Sequence, residues 1–496
     1  MRTIPSYLLL SVLLCLGMAD GLARPQATAW ITTFDRSSEF ERISIPFSRP
    51  VPFTQEIRRD QEIRLTKERF QTIDGFGLAI TQASCYVLLQ MTAQDRNALL
   101  KEMFSPTEGA GSSLVRVCIG GSDFSLSEYT WWDKPGKENL QVHESEYTWL
   151  FPVLDEIYRI NPDLQIIGSP WSCPKWMKMD LEGEGKPHDS WRSGRLNPAC
   201  YGDYADLFVK WIRTMEGRGY HVLAVTPQNE PLHGGNSMSL YMPWEDQREF
   251  VKVLGKKLKD ADLKTKILVF DHNFNYDKKE GQSQYPLRIY ADPEANACVA
   301  GSAWHNYGGD ASELDRIHAA APDKDIYFTE ASIGTWNYRG EEAFARRFPA
   351  DMLGIFFGTL SRYGKGVTLW NLVLDENGAP NRGEAGGCKT CYGGATVPSH
   401  DWAAAGIVRN SHWFDVLHCS QVVRPGAVRT GTTGPSIPDL EYLAFRNPDA
   451  STGLLVVNTG DSAHILPVRS GRKVVLTPVP ARSVVSLLIP SARTAN

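Results

Sequence analysis

The 496-residue chain lacks any long run of lysine or arginine, and its net charge is only −5. Proteins that bind nucleic acid usually carry a basic face or stripe, so we expect no such partner. Beyond the first residues, no stretch is apolar enough to form a membrane helix. Hydrophobic residues make up 42% of the chain and charged residues 22%, a composition typical of a globular protein. The mild negative charge suits a neutral ligand.

Several motifs that carry chemistry are also missing. No glycine-rich nucleotide or phosphate loop follows the early apolar segments, and Gly75-Phe-Gly77 is too short to replace one. The nine cysteines are scattered, and the one CxxC pair, Cys388 and Cys391, has no second pair to complete a zinc site. This pair is better interpreted as a local disulfide or as two idle thiols. We expect neither a metal nor an organic cofactor.

The first residues resemble an export signal. Arg2 supplies positive charge, residues 8–18 form an apolar core too short to span a bilayer, and small residues follow. We therefore expect a signal peptide at residues 1–23. The mature protein would be periplasmic or extracellular, without a transmembrane segment. The sequence leaves the oligomeric state open.

Short apolar runs alternate with helical patterns through most of the chain. Eight candidate strands lie at residues 70–81, 114–120, 164–171, 222–226, 267–271, 299–305, 326–330 and 366–372. Helix starts are indicated by Thr92 with Asp95, which fits a capping box, and by Asn197 before Pro198. Eight strand–helix units predict an α/β fold, the (β/α)8 or TIM barrel, over residues 67–412. An open doubly wound sheet is the competing architecture.

The two ends of the chain have a different pattern. From about Trp413 onward, short β-rich runs are separated by Pro, Gly and Asp, and residues 29–66 are also β-like. We expect residues 413–496 and the N-terminal strand or strands in residues 29–66 to build an associated all-β sandwich domain.

Active sites of such barrels gather where the strands end, at their carboxyl side. Carboxylates, amides and aromatic rings occupy those positions here, and no serine nucleophile or metal-ligand cluster is among them. The residues are Arg116, Asp123, Trp171, Asn229, Glu230, Asp271, His305, Tyr307, Glu330, Trp370 and Asn371. Indole rings stack on sugar faces, and carboxylates and amides bind hydroxyls, so the set favours a carbohydrate ligand.

Glu230 and Glu330 end the fourth and seventh predicted strands. These strands lie across the barrel mouth from each other, so the two carboxyls can face one substrate. Glycoside hydrolysis needs such a pair, one group as acid and the other as nucleophile or base. Pro227 and Pro231 flank Glu230 and stiffen the backbone at a group whose position must be held closely.

Seven ordered segments make the sequence resemble glycoside hydrolase family 30, of the retaining clan with glutamates on strands four and seven. They are "GFGLAIT" (75–81), "VRVCIGGSDFS" (115–125), "GSPWSCPKWMK" (168–178), "TPQNEP" (226–231), "AWHNY" (303–307), "FTEASIG" (328–334) and "LWNLVLD" (369–375). The resemblance covers nearly the whole mature chain, including the split sandwich. It implies that Glu230 is the acid/base and Glu330 the nucleophile. Sugar contacts are implied for Arg116, Asp123, Trp171, Asn229, Tyr307 and Trp370.

Simpler structural roles remain open for several of these residues. Arg116 could be an internal ion-pair partner of Glu230 or Glu330 rather than a sugar contact. His305 is more often a hydrogen-bonded histidine of the barrel wall than a catalyst. Trp171 and Trp370 could belong to the core. Trp131 and Trp132 could form either a sugar platform or a packed loop.

The resemblance favours the branch that cleaves β-1,6-glucan, with glucosylceramidase or an exo-acting β-glucosidase or β-xylosidase as alternatives. Two loops could form open aromatic platforms for a curved β-1,6 chain. They carry Tyr129, Trp131 and Trp132 after the second strand, and His233, Asn236 and Tyr241 after the fourth. A non-catalytic glycan-binding protein is a different class, and the presence of both glutamates argues against it. A metal-dependent hydrolase using Asp271, His272 and His305 is a remote third reading.

Overall fold

The computed structural model describes residues 26–48, 61–336, 342–381, 387–471 and 473–491. The expected signal peptide at residues 1–23 lies outside the described residues. Within them, no helix has both the length and the apolar character needed to cross a membrane.

Eight parallel strands close into a barrel, as predicted, and follow one another around it in chain order. Their bounds are Gly75–Ile80, Leu114–Cys118, Gln165–Ser169, His221–Val225, Lys266–Asn273, Gly301–His305, Asp325–Glu330 and Gly364–Leu369. Side chains from the second to the seventh barrel strands fill the interior and pack on one another, so the barrel is a core and not a pore. This cluster consists of Leu114, Ile167, Ala224, Leu268, Ala303 and Tyr327.

Helices surround the barrel and connect its strands. Their bounds are Gln82–Gln90, Ala93–Phe104, Phe151–Ile160, Tyr201–Gly217, Trp244–Asp260, Tyr285–Tyr290, Pro293–Cys298, Glu313–Ala320, Glu342–Asp351, Gly358–Leu360 and Ser411–Val422. Both predicted helix starts are present. The Thr92 side chain accepts a hydrogen bond from the Asp95 amide, and Asn197 caps a short 3-10 turn that leads into Tyr201–Gly217.

The second layer is a nine-stranded sheet built from both ends of the chain, which confirms the predicted split β-sandwich. In spatial order its strands are Glu41–Pro46, Gln26–Thr33, Ser483–Ile489, Thr452–Asn458, Leu440–Arg446, Val428–Thr433, Ile63–Thr72, His464–Ser470 and Lys473–Val479. A bridge between Ser48 and Val474 brings the two ends of this sheet together. Its apolar faces enclose a core separate from that of the barrel.

Two predicted boundaries were wrong. The run at residues 70–81 is not one strand, because its first part belongs to the sandwich strand Ile63–Thr72 and its second part to the barrel strand Gly75–Ile80. The chain turns at Gly75, whose φ of 153° lies in a region that side chains rarely adopt. Residues from Trp413 form a helix, Ser411–Val422, not a strand. This helix is buried on almost every face between barrel and sandwich, so it has no polar stripe to reveal its period.

Candidate active site

A cavity of about 340 Å³ opens at the carboxyl ends of the barrel strands. Both predicted glutamates line it, together with three other residues from the predicted set. The lining residues most relevant to chemistry are Asp123, Glu230, His272, Asp277, Tyr307, Glu330, Trp336 and Trp370.

Glu230 is fixed by its backbone as well as by its side chain. Its φ is 44°, unusual for a residue that is not glycine, and its amide donates a 3.0 Å hydrogen bond to the Asp271 carbonyl. The preceding amide, that of Asn229, donates to the Pro170 carbonyl at 2.8 Å. Three successive strand ends thus hold Glu230 in one place, as a group that transfers protons requires.

Glu330 is the last residue of the seventh barrel strand and is held from two sides. The Tyr307 hydroxyl donates to its Oε1 at 3.0 Å. The guanidinium of Arg116 contacts its Oε2. A carboxylate with a cation on one oxygen and a hydroxyl on the other is well placed to remain charged while it attacks a carbon atom.

Arg116 is completely buried, which corresponds to the ion-pair alternative and not to the implied sugar contact. It donates to the Asn229 side chain at 2.7 Å and to Asp271 at 2.8 Å, in addition to its contact with Glu330. Both members of the predicted pair are therefore tied to one guanidinium, Glu330 directly and Glu230 through its neighbour Asn229. The Asn229 oxygen accepts from Arg116, so this bond fixes the orientation of the amide next to Glu230.

A β-bulge in the fifth barrel strand places Asp271, which was in the predicted set, and His272, which appeared only in the metal alternative, in one site. The pairing register shifts between Phe270 and His272, and the residue between them, Asp271, has a φ of 68°. Bulges re-aim side chains and are common next to active sites. Here the bulge lets the consecutive residues Asp271 and His272 both serve the site, although strand alternation would place them on opposite faces.

His305 is a buried, hydrogen-bonded histidine of the barrel wall, as expected, but its partner is Glu230. Its Nδ1 lies 3.3 Å from Glu230 Oε1 and its Nε2 lies 3.1 Å from Asp271 Oδ1. His272 Nδ1 lies 3.6 Å from the same Glu230 oxygen, and its Nε2 lies 3.0 Å from Asp277 Oδ2. Two imidazoles therefore converge on one carboxyl.

The charges around the two glutamates are coupled. Burial raises the pKa of Glu230, but the adjacent imidazolium groups of His272 and His305 outweigh it and hold that pKa well below its usual range. Burial raises the pKa of Glu330, and the negative charge of Glu230 raises it further. The positive charges of His305 and Arg116 lower this pKa but do not cancel the rise. If one imidazole proton moves to Glu230, that repulsion disappears and Arg116 favours an ionised Glu330. With that proton on Glu230 and Glu330 ionised, the cluster is in the acid-plus-carboxylate state.

The closed end of the cavity is polar and aromatic. Burial raises the pKa of Asp123 well above its usual range, with the charges of Glu330 and Glu230 adding to the rise, and its Oδ1 has no protein partner. Such a carboxyl is suited to a sugar hydroxyl. Trp370 lines the cavity, whereas Trp171 stacks behind it with ring centroids 4.8 Å apart. Trp171 is therefore a supporting residue of the wall.

Of the two alternatives for the loop after the second strand, the packed loop is confirmed and the open aromatic platform is wrong. Tyr129, Trp131 and Trp132 are all buried. Trp131 and Tyr129 donate to the same oxygen of buried Glu146, at 2.7 and 3.3 Å, so these rings form a packed loop. In the other loop, Tyr241 packs against the core, whereas two of its polar residues, His233 and Asn236, do line the cavity.

Trp336 provides the exposed aromatic ring that we had assigned to those loops. It lines the cavity and is 42% exposed. The strand Ile333–Gly334 pairs with Cys391–Tyr392, and Cys388 and Cys391 form a disulfide, the first of the two alternatives left open for the CxxC. The disulfide loop and Trp336 thus form one side of the entrance. No periodic pattern marks this ring, because it follows a strand of only two residues.

The remote metal reading fails for Asp271, whose two oxygens are occupied by hydrogen bonds from Arg116, Ser169, Thr226, Thr329 and His305. Ligand atoms of Glu230, His272 and His305 lie within 4.8 Å of one another. The hydrogen bonds of these side chains account for their spacing, and we assign no metal to them.

Paired carboxyls at the mouth of an eight-stranded barrel, one backed by imidazoles and one by an arginine, define a glycoside hydrolase. The model of the glycosyl hydrolase family 30 TIM-barrel domain matches residues 73–385, and that of the family 30 beta sandwich domain matches residues 426–487. The chain therefore belongs to glycosyl hydrolase family 30.

Characterised relatives cover most of the chain. The endo-1,6-beta-D-glucanase of Neurospora crassa is 28% identical over 97% of this chain and 98% of its own. The lysosomal acid glucosylceramidase of Mus musculus is 25% identical over 79% of this chain and 76% of its own. Among solved structures, that of the endo-beta1,6-glucanase BT3312 is 44% identical, with a TM-score of 0.88, and the match covers 94% of this chain and all of that one.

Proposed function

We propose that this family 30 enzyme hydrolyses β-1,6-glucan from within the chain, by double displacement, with Glu330 as nucleophile and Glu230 as acid/base. The observation that supports the pair of roles most directly is the position of Arg116. It contacts Glu330 itself and reaches Glu230 only through Asn229, so the two carboxyls meet different electrostatic environments. Pairs of titratable groups with different environments are how such enzymes separate acid from nucleophile.

The reaction has two balanced steps. In the first, the Glu330 carboxylate forms a bond to the anomeric carbon while Glu230 gives its proton to the departing glycosidic oxygen. In the second, water attacks the glycosyl-enzyme, Glu230 takes the proton of that water, and the sugar leaves with its original configuration. Tyr307, which donates to Glu330 at 3.0 Å, would have to release that oxygen or shift with it as the bond forms.

The substrate proposal is supported by the similarity to endo-β-1,6-glucanases along nearly the whole chain, at 44% identity for BT3312. A β-1,6 linkage contains an extra rotatable carbon, so the chain can curve out of a closed pocket. The geometry suits this substrate, because buried Asp123 and Trp370 form the closed end while Tyr307 and Trp336 are exposed at the rim. One glucosyl unit can bind inside while the next one lies against the rim.

The deciding experiment compares kcat/KM on a β-1,6-glucan with that on glucosylceramide, alongside a β-1,3-glucan, an aryl β-glucoside and an aryl β-xyloside. We expect the β-1,6-glucan to be preferred, with early products of mixed length, which indicate internal cleavage. Proton NMR should show the β-anomer as the first product. Faster turnover of the lipid would favour the glucosylceramidase alternative, and glucose as the first product would indicate exo action.

The same assay separates the other classes. Full activity in EDTA is expected, whereas its loss would show a metal requirement. Binding without turnover of any substrate would favour a glycan-binding protein. Export also belongs to this proposal, because its support is the short apolar segment at residues 8–18. Fractionation of a host cell that expresses the full chain, with mass spectrometry of the mature N-terminus, tests it.

A further inference from the structure

Glu230 has two histidine neighbours, although the proposed reaction needs only one proton at this carboxyl. His305 lies 3.3 Å from Oε1 and is backed by Asp271. His272 lies 3.6 Å from the same oxygen and is backed by Asp277. The Nδ1 of His272 is fully buried and has no hydrogen-bond partner, so a small shift toward Glu230 would satisfy it. Catalytic hydrogen bonds are often long before a substrate binds.

The two aspartates differ in how their charge is balanced. Asp271 contacts the Arg116 guanidinium at 2.8 Å, which neutralises it. Asp277 accepts from the Asn273 side chain at 2.8 Å, and within the described ranges its ion-pair partner is His272. The His272 ring therefore faces an unneutralised carboxylate, that of Asp277, whereas the aspartate behind His305 is already paired with Arg116.

The backbone holds Asp277 in an unfavourable conformation to make this contact. Tyr276, Asp277 and Lys278 have φ values of 55°, 51° and 53°, three successive non-glycine residues in the left-handed region. The Asp277 amide is secured by the Asn275 side chain at 3.0 Å. Conformations of this kind are costly and cluster at functional sites. Here the turn places the Asp277 carboxylate against His272.

We propose that His272 and Asp277 act as a positioning pair that holds the acid proton beside Glu230 and passes it to that carboxyl as the glycosidic bond breaks. The inference rests on the proposed role of Glu230 as acid/base. It adds a function for two residues of the fifth strand and its loop that the two-glutamate mechanism does not use.

The proton balance of this step is closed. Before cleavage, Glu230 and His272 share one proton. As the bond breaks, His272 Nδ1 gives it to Glu230, and Glu230 gives a proton to the leaving oxygen, so His272 ends neutral and Glu230 ends as a carboxylate. In the second step, water supplies a proton to Glu230, and the pair returns to its first state.

The surroundings of His272 keep this proton in place at neutral pH. Burial lowers the pKa of His272, but Asp277 and Glu230 outweigh that effect and raise the pKa to about 9. The third ionisable group facing the ring is His305, with ring centroids 6.2 Å apart. The charged groups behind these are Asp271, Arg116 and Glu330.

The test combines two variants with two substrates. His272→Gln and Asp277→Asn are assayed for kcat/KM across pH on a β-1,6-oligosaccharide and on the matching β-glycosyl fluoride, whose leaving group needs no proton. With the oligosaccharide, the basic limb of the profile should move to lower pH by at least about one unit, the size at which two groups titrate as a pair. With the fluoride, the profile should stay as in the wild type. Asp277→Asn should move the limb in the same direction by less.

His318→Gln is the matched control, because this histidine stacks on Tyr363 outside the cavity and should leave both profiles unchanged. An unshifted basic limb in both His272→Gln and Asp277→Asn overturns the proposal, as does an equal loss on both substrates. Asp277→Asn keeps the test valid should His272→Gln fold poorly. Glu230→Gln separates the two levels of inference: if it retains activity on the oligosaccharide, the proposed function itself fails.

Discussion

Arg116 donates a 2.7 Å hydrogen bond to the Asn229 side chain while its other terminal nitrogen contacts Glu330. One planar guanidinium thereby sets the position of the nucleophile and of the residue next to the acid/base. Such fixed, multidentate geometry is what distinguishes arginine from lysine. A misplacement of about 1 Å between reacting groups greatly lowers the rate, so the contacts of Arg116 with Asn229 and Glu330 are as much a part of the site as the two glutamates are.

The first prediction concerns this guanidinium. Arg116→Met leaves Asp271 and Glu330 buried without their cation, and removing one partner of a buried ion pair costs about 3–5 kcal/mol. Denaturant unfolding should show this loss, and the residual folded enzyme should have a reduced kcat. Arg482→Met, which removes an exposed pair with Asp461, is the control and should change stability by less than about 1 kcal/mol. A stable, active Arg116→Met would contradict the bridging role.

The second prediction concerns the nucleophile. Glu330→Gln should fold normally and lose several orders of magnitude in turnover, since an amide cannot form the glycosyl-enzyme. Adding azide to Glu330→Gly, with an activated β-glycoside, should restore turnover and give the α-glycosyl azide, because the anion attacks from the face left empty. Near-normal turnover by Glu330→Gln on the preferred substrate would remove Glu330 from this role.

The third prediction concerns stability and pH. Burial raises the pKa of Glu146 to about 7. The pKa of Glu146 is thus higher in the folded protein than in the unfolded chain. Its contribution to the free energy of unfolding is therefore full below about pH 4.5 and is lost as the pH rises toward 7. Glu146→Gln keeps an oxygen acceptor for Trp131 and Tyr129 without the charge. At pH 8 it should be more stable than the wild type, by up to about 3 kcal/mol.

Thermal and denaturant unfolding at pH 5 and pH 8 measure this difference. The gain should be largest at pH 8 and shrink at pH 5, where Glu146 of the native wild type is already neutral. A gain of the same size at both pH values would mean that packing, and not ionisation, is responsible. A loss at pH 8 would mean that the charged carboxyl is stabilised in the fold.

Most of the barrel could be predicted from sequence because each strand is a short apolar run that ends at polar residues. The glutamates could be found for the same reason, since both lie where such runs stop. Asp271 was found in the same way, but a role for His272 beside it was harder to predict, because a bulge is needed to bring neighbours to one site and strand alternation argues against it. The helix Ser411–Val422 was missed because burial on all faces removes the polar stripe that marks a helix.

The aromatic rings were hard to place for a different physical reason. Trp131 and Tyr129 lie in a long polar loop, so a sugar platform at the surface and a packed loop were both left open for it. Their partner, Glu146, is 15 residues beyond Trp131 and buried, and nothing local in the sequence indicates that the two would meet. Exposure of a loop residue depends on such distant contacts, whereas strand burial is visible in the local pattern.

The last prediction concerns the ring that is exposed. Trp336 lies at the rim of the cavity. It follows the strand Ile333–Gly334, which pairs with Cys391–Tyr392 beside the disulfide loop. A second glucosyl ring outside the closed pocket would stack on this indole. Since an aromatic contact contributes about 0.5–1.5 kcal/mol, Trp336→Ala should raise KM for the β-1,6-glucan roughly two- to tenfold. Its kcat should change little, because the ring does not contact either glutamate.

Three comparisons make this result specific to stacking at the rim. Trp336→Phe should recover part of the affinity, because a smaller ring still offers a flat face. Tyr147→Ala removes another exposed ring, one that packs on Phe151 away from the cavity, and should leave KM unchanged. A glycosyl fluoride has no sugar on the leaving-group side of the cleaved bond. If Trp336→Ala leaves KM for the fluoride unchanged but raises KM for the polymer, the stacked glucosyl unit lies on the leaving-group side. If KM for the polymer is unchanged in Trp336→Ala, the rim indole takes no part in holding the glucan.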